Sequence, residues 1–163
     1  MADVSQFLTA LKPMFAEHLK AYLSTNGEDG YIFDARPHGG SAVTTALILK
    51  TIGRKSGRTL LVPLIYSAWG DEYIVVGSKG GADEHPAWFT NLTAQPDAYF
   101  QVRNKKFRGS WRVAEGTERA RIWDYVTQYF PPYAEYQTST ERTIPVVVLT
   151  TKEQIDEVWT APA

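Results

Sequence analysis

Two strand-like runs, residues 43–51 and 59–69, meet at the segment Gly53-Arg54-Lys55-Ser56-Gly57, and this junction constrains the fold more than any other part of the chain. Both runs are rich in β-branched and aliphatic residues, so they read as neighbouring strands joined by a tight turn. Gly53 and Gly57 allow positive φ and let several backbone N–H groups point the same way. Arg54, Lys55 and Ser56 add two cations and a hydroxyl to that turn. Its chemistry suits an anion, and phosphate fits best.

A second turn, Gly77-Ser78-Lys79-Gly80-Gly81, follows another strand at residues 73–76 and repeats the same ingredients. Taken singly, each turn reads as an ordinary hairpin loop with solvated lysines, since such motifs recur by chance. Two of them on neighbouring strands, with His85-Pro86-Ala87-Trp88 close behind, point instead to a nucleotide-like cofactor.

Residues 5–23 carry Phe7, Leu8, Leu11, Phe15, Leu19, Tyr22 and Leu23 at helical spacing, which predicts one amphipathic helix of about five turns. A Gly-, Asp- and Pro-rich loop spans 26–41. Strands are expected at 42–51, 59–69, 72–78, 99–103, 106–114 and 144–150, with Pro63 marking an edge or a bulge. A short helix is expected at 86–94 and a longer one at 118–129, stopped by Pro131-Pro132. The tail after 151 has room for a short helix. The pattern predicts an α+β fold: one domain over 1–163, built on a small, six-stranded, mostly antiparallel barrel at 42–151, with an N-terminal helix within 1–25.

At 163 residues and a formal charge of -1, the chain is large enough for a real core and is not the strongly basic protein expected of a general nucleic-acid binder. Cysteine is absent, which excludes disulfides and thiolate chemistry, and His18, His38 and His85 lack metal-ligand spacing. No run is long enough for a membrane span, and the N-terminus lacks the plan of a signal peptide. The chain reads as cytoplasmic, with the N-terminal helix open to a weak peripheral membrane contact.

The ordered set Gly53-to-Gly57, Pro63-Leu64, Ser78-to-Gly81, His85-Pro86-Ala87-Trp88 with Asn91-Leu92, Pro131-Pro132-Tyr133 through Tyr136, and Arg142-Thr143-Ile144-Pro145 resembles the deazaflavin-dependent nitroreductase family. The resemblance covers roughly residues 43–150. It implies a split β-barrel of the FMN-binding type, coenzyme F420 as cofactor, and hydride transfer to a flat, electron-poor acceptor such as a quinone, an enone or a nitroaromatic.

On the same resemblance, Arg54, Lys55 and Ser56 hold the cofactor's phosphate and tail, and Leu60, Leu61, Val62, Pro63 and Leu64 run along its ring and ribityl chain. Val76, Gly77, Ser78 and Lys79 supply backbone groups and a cation, while Ala87, Trp88 and Asn91 close over it from a helix start that itself favours anions. Many relatives carry arginine where this chain has Leu60, and Arg58 stands about 7 Å away on the same strand face as a replacement. Ile65 and Phe130 are further departures. Tyr133 is the first candidate for positioning or protonating the acceptor, then Ser78, with Tyr136 beside them. His85 reads as a structural cap, and Arg103, Lys105, Lys106, Arg108 and Arg112 as a solvated strand face. Two alternatives stay open: a split barrel that uses FMN or haem, and a non-catalytic carrier of deazaflavin or a lipophilic ligand.

Overall fold

The computed structural model describes residues 4–9, 11–40 and 42–160. Its centre is an antiparallel sheet of seven strands: β1 (Ile32–Asp34), β2 (Val43–Ile52), β3 (Thr59–Trp69), β4 (Glu72–Val76), β5 (Ala98–Val102), β6 (Lys105–Val113) and β7 (Val146–Ile155). The order is β1-β2-β3-β4-β7-β6-β5, and pairing of β5 back onto β2 closes six of these strands into a barrel. Every ladder is antiparallel.

Alternation along the strands sorts the core. Leu47 and Leu49 of β2 point into the barrel with Val75, Phe100, Val147 and Leu149. Ala46 and Ile48 point out and meet Leu61, Leu19, Tyr22 and Tyr99. A third cluster forms where Ile74, Val146 and Val148 meet Ile122, Val126, Phe130 and Tyr133. Those last residues come from α3 (Gly116–Tyr129), its following residue Phe130, and α4 (Pro132–Thr138). Gly109 sits at a register shift between β6 and β7, where a Cβ would lie 2.1 Å from the Thr150 carbonyl oxygen, so only glycine lets the strands approach.

Four expectations are corrected. The N-terminal periodicity does not form one helix: a 3-10 turn at Ser5–Phe7 is followed by α1, Pro13–Ser24. Proline lacks an N–H and disfavours helical geometry in the residue before it, and Lys12 is extended at φ -61, ψ 150. Pro132 stops α3 and also begins α4, since proline suits a first helical turn. The loop at 26–41 contains strand β1. Residues 151–155 extend β7 along β6 and no helix follows through 160, while 161–163 lie outside the described residues. Pro63 does lie at an edge, because β3 meets β4 only over Ser67–Trp69.

Tyr22 locks α1 onto the barrel. Its buried hydroxyl accepts from the Arg103 N–H at 2.6 Å and donates to the Ala46 carbonyl at 2.9 Å. Tyr22→Phe strands both main-chain groups, and urea denaturation should show a loss of about 1–3 kcal/mol. An unchanged midpoint would mean that α1 docks through apolar contacts alone.

Candidate active site

The barrel, α1 and the α3–α4 corner leave an apolar cleft of about 380 Å3 between them. That lies within the range of cofactor pockets, roughly 300–1,000 Å3. One wall is Val62, Pro63, Leu64 and Ile65 of β3 with Val76 at the end of β4. Ser78, Lys79 and Gly80 form its floor beside Pro86 and Trp88 of the next segment, where α2 (Ala87–Leu92) begins. Phe130, Tyr133 and Tyr136 close the far side, and Met14, Phe15 and His18 of α1 form the rim.

The N-terminal helix, expected to pack on the barrel or touch a membrane surface, and the 26–41 segment, expected to be a surface loop, both reach this cleft. His18 and His38 stack on Phe33 at 5.4 and 5.5 Å between ring centroids. The His18 Nε2–H donates to the Gly30 carbonyl at 2.7 Å, fixing one ring of that stack. The only signals available in sequence were single aromatics in a loop and a helix face already explained by burial.

Tyr133 is 7% exposed, with its ring edge-on to Phe130 at 4.7 Å. Burial, and the neighbouring Tyr136, hold its phenol far above the ordinary value, so it stays protonated at any working pH. Among the described residues its hydroxyl has no hydrogen-bond partner, although a buried tyrosine normally finds one.

The expected cofactor residues divide into three groups. Val62, Pro63, Leu64, Val76, Ser78, Lys79 and Trp88 line the cleft. Arg54, Lys55, Ser56 and Arg58 lie exposed on the turn that leads into β3, with Leu60 half-buried at the strand's start. Gly57 takes φ +69, and the Ser56 Oγ accepts from the Arg58 N–H at 3.2 Å, which folds the turn on itself. Among the described residues Arg54, Lys55 and Arg58 have no carboxylate partner, whereas Lys79 pairs with Glu84 at 2.6 Å.

The third group does not line the cleft. Leu61 is 2% exposed and packs beneath α1, because strand alternation turns it away from the face that carries Val62 and Leu64. Gly77 is buried against Pro145, and Ala87 is exposed. Asn91 is buried and donates from Nδ2 to the Thr51 hydroxyl at 3.4 Å, joining α2 to β2 beside the first turn. The basic strand face is ion-paired: Arg108 to Asp97 and Glu153, and Arg112 to Glu72 and Glu118.

Arg142, from the segment before β7, ties the second turn to that segment. It donates to the carbonyls of Gly77, Ser78 and Ala82 and faces His85 Nδ1 at 3.1 Å. His85 accepts there, so it must be neutral on that nitrogen; its ring also rests on Phe89. Burial and then the Arg142 charge lower its pKa below the ordinary 6.5. A lowered imidazole pKa contributes stability that is present above 6.5 and lost as pH falls through the folded-state value. Wild-type Tm should therefore drop more than that of His85→Gln between about pH 7.5 and 5, because Gln retains an acceptor and does not titrate. Parallel melting curves would exclude His85 from this linkage.

A closed antiparallel barrel, with an apolar cleft on its flank and glycine turns at its strand ends, is the architecture of the split-barrel oxidoreductases that take a flavin-like cofactor. The profile of the F420H(2)-dependent quinone reductase family matches residues 14–151. An F420H(2)-dependent quinone reductase of Mycobacterium tuberculosis is 35% identical over 82% of this chain and 87% of its own length. A putative F420H(2)-dependent quinone reductase of Mycobacterium bovis matches to the same extent. Among solved structures, one described as an F420-H2 dependent reductase superposes with a TM-score of 0.58 at 39% identity, covering 64% of this chain and 93% of its own. Another, described as a domain-swapped dimer, reaches 0.61 at 35% identity and covers 82% of this chain and 92% of its own. The chain belongs to the F420H(2)-dependent quinone reductase family. Membership makes it an F420-dependent reductase, with coenzyme F420 as its cofactor.

Proposed function

We propose that this chain reduces a quinone, with the acceptor bound in the apolar cleft against Tyr133. The observation that carries this reading is the Tyr133 hydroxyl: a protonated donor without a partner among the described residues, in a mostly apolar cleft. The residues present fit F420. Arg54, Lys55 and Arg58 stand unpaired on the turn that would take its phosphate and acidic tail, with Ser56 among them, and Val62, Pro63, Leu64 and Trp88 supply a flat apolar wall for the ring. When bound, reduced F420 supplies a hydride.

Reduction of a quinone to a hydroquinone consumes one hydride and one proton, so the protein must deliver a proton at a carbonyl oxygen. Tyr133 is the residue assigned to that task in this reading, and its neighbours Phe130 and Ile65 give that end of the cleft an apolar lining. Ser78 lies on the floor of the same cleft as the second donor, with Tyr136 one helical turn beyond Tyr133. Met14 and Phe15, 52% and 38% exposed at the rim, support a peripheral contact with a membrane surface, which flotation with vesicles would test. Among the described residues no helix is long and apolar enough to cross a membrane.

The deciding experiment titrates the protein with oxidised F420 and with FMN side by side, then follows oxidation of F420H2 by a short-chain quinone. Tighter binding of F420 and quinone-dependent turnover are expected. Tight FMN binding without F420 binding would overturn the cofactor fit. F420 binding without turnover would leave the chain a carrier.

A further inference from the structure

The guanidinium of Arg142 makes no ion pair among the described residues. Besides His85 Nδ1, its donors go to main-chain carbonyls far away in sequence: Nη1 to Gly77 at 3.2 Å, Nη2 to Ser78 at 2.8 Å and Nε to Ala82 at 2.7 Å. An arginine bonded in this way acts as a template for the backbone it grips.

The identity of the gripped peptides matters. The Gly77 carbonyl belongs to the peptide unit that carries the Ser78 N–H, and the Ser78 carbonyl to the unit that carries the Lys79 N–H. In a trans peptide the C=O and N–H point in opposite directions. Holding both oxygens on the Arg142 side therefore directs both N–H groups the other way. Arg142 does not line the cleft, whereas Ser78, Lys79 and Gly80 do.

The backbone between them supports the same geometry. Ser78 is right-handed at φ -77, ψ -38, and Lys79 follows at φ +45. A right-handed residue followed by a left-handed one makes successive N–H groups converge on one point, a concavity that binds anionic or carbonyl oxygen. The N–H groups of Ser78, Lys79 and Gly80 find no acceptor among the described residues, while those of Gly77 and Gly81 are bonded to Pro145 and Ser78. A positive φ is unfavourable for lysine, so contacts outside the turn must maintain it.

We infer that Arg142 is a positioning residue. By holding the Gly77 and Ser78 carbonyls it presents the N–H groups of Ser78 and Lys79 to the cleft as paired donors for an oxygen of the planar ligand. This rests on the proposed use of the cleft for F420 and its acceptor. Arg142 itself touches no reacting atom. Its role also explains why the Arg142-to-Pro145 segment accompanies the glycine turn: one motif aims the other.

The test compares wild type with Arg142→Lys and Arg142→Ala at 25 °C, reading F420 Kd by fluorescence titration, quinone kcat and KM, and Tm. Lysine keeps the charge but cannot bridge two carbonyls with a planar fork. Both variants should bind F420 about tenfold more weakly or worse, with kcat falling alongside, in protein that is still folded at the assay temperature. A merely structural arginine would lower Tm and leave Kd unchanged. Kd and kcat within about threefold of wild type in folded Arg142→Lys would overturn the inference, and that variant alone decides if Arg142→Ala fails to fold. Failure of wild type itself to bind F420 would instead defeat the reading of the cleft.

Discussion

Tyr133→Phe is expected to fold normally, bind F420 as wild type does, and lose roughly 10²–10⁴-fold in quinone-dependent oxidation of F420H2, the range of general acid catalysis. The prediction follows from a hydroxyl that stabilises nothing in the described structure. Removing a buried phenol usually strands its partner, as at Tyr22, where two main-chain groups depend on the oxygen. At Tyr133 there is no such partner, and the ring contacts with Phe130 and Trp123 survive the change. Tm should therefore hold or rise while turnover falls. Burial keeps the phenol protonated, so the wild-type rate should show no loss of this donor within the working pH range. Unchanged turnover would return Tyr133 to the core. Loss of F420 binding along with turnover would make it part of the cofactor wall.

A second large effect is expected at the first turn. The triple substitution Arg54→Ala, Lys55→Ala, Arg58→Ala should weaken F420 by about 30-fold or more, since it removes several charge-assisted contacts to one anion. These groups are exposed, so each contact is worth less than in a closed site, and salt screens it. Wild-type affinity should fall as ionic strength rises, and the triple variant should lose most of that slope. FMN, with one phosphate and no acidic tail, should respond less. Equal affinity in wild type and variant, at low salt, would move the tail away from this turn. Arg58→Ala alone asks whether Arg58 compensates for Leu60 in this chain.

The strand ladder and the two glycine turns were legible in the sequence because their signals are local. A strand's period is two, a turn needs glycine where φ is positive, and neither depends on distant residues. Hence β2, β3, β4, β5 and β6 fall near their expected positions. The misreadings had local causes too. Apolar spacing ran through Pro13 and hid a helix start, and a proline pair read only as a stop also began α4. The β7 extension was hidden because residues 151–155 are mostly polar and exposed, and only pairing with β6 makes them a strand.

The sequence by itself determined an antiparallel barrel with two anion-suited turns and, through its ordered motifs, the family and its cofactor. Tertiary structure alone decided which faces meet. It put Leu61 under α1 while its neighbours Val62 and Leu64 face the cleft, because a strand side chain can be assigned to a face only once both faces are covered. It brought Met14, His18, Phe33 and His38 to the cleft from a helix and a surface loop to which the sequence assigned no part in the site. It set Arg142 behind the second turn across 65 residues of chain. Such contacts arise from barrel closure, a long-range event, and periodicity along the chain carries no trace of them.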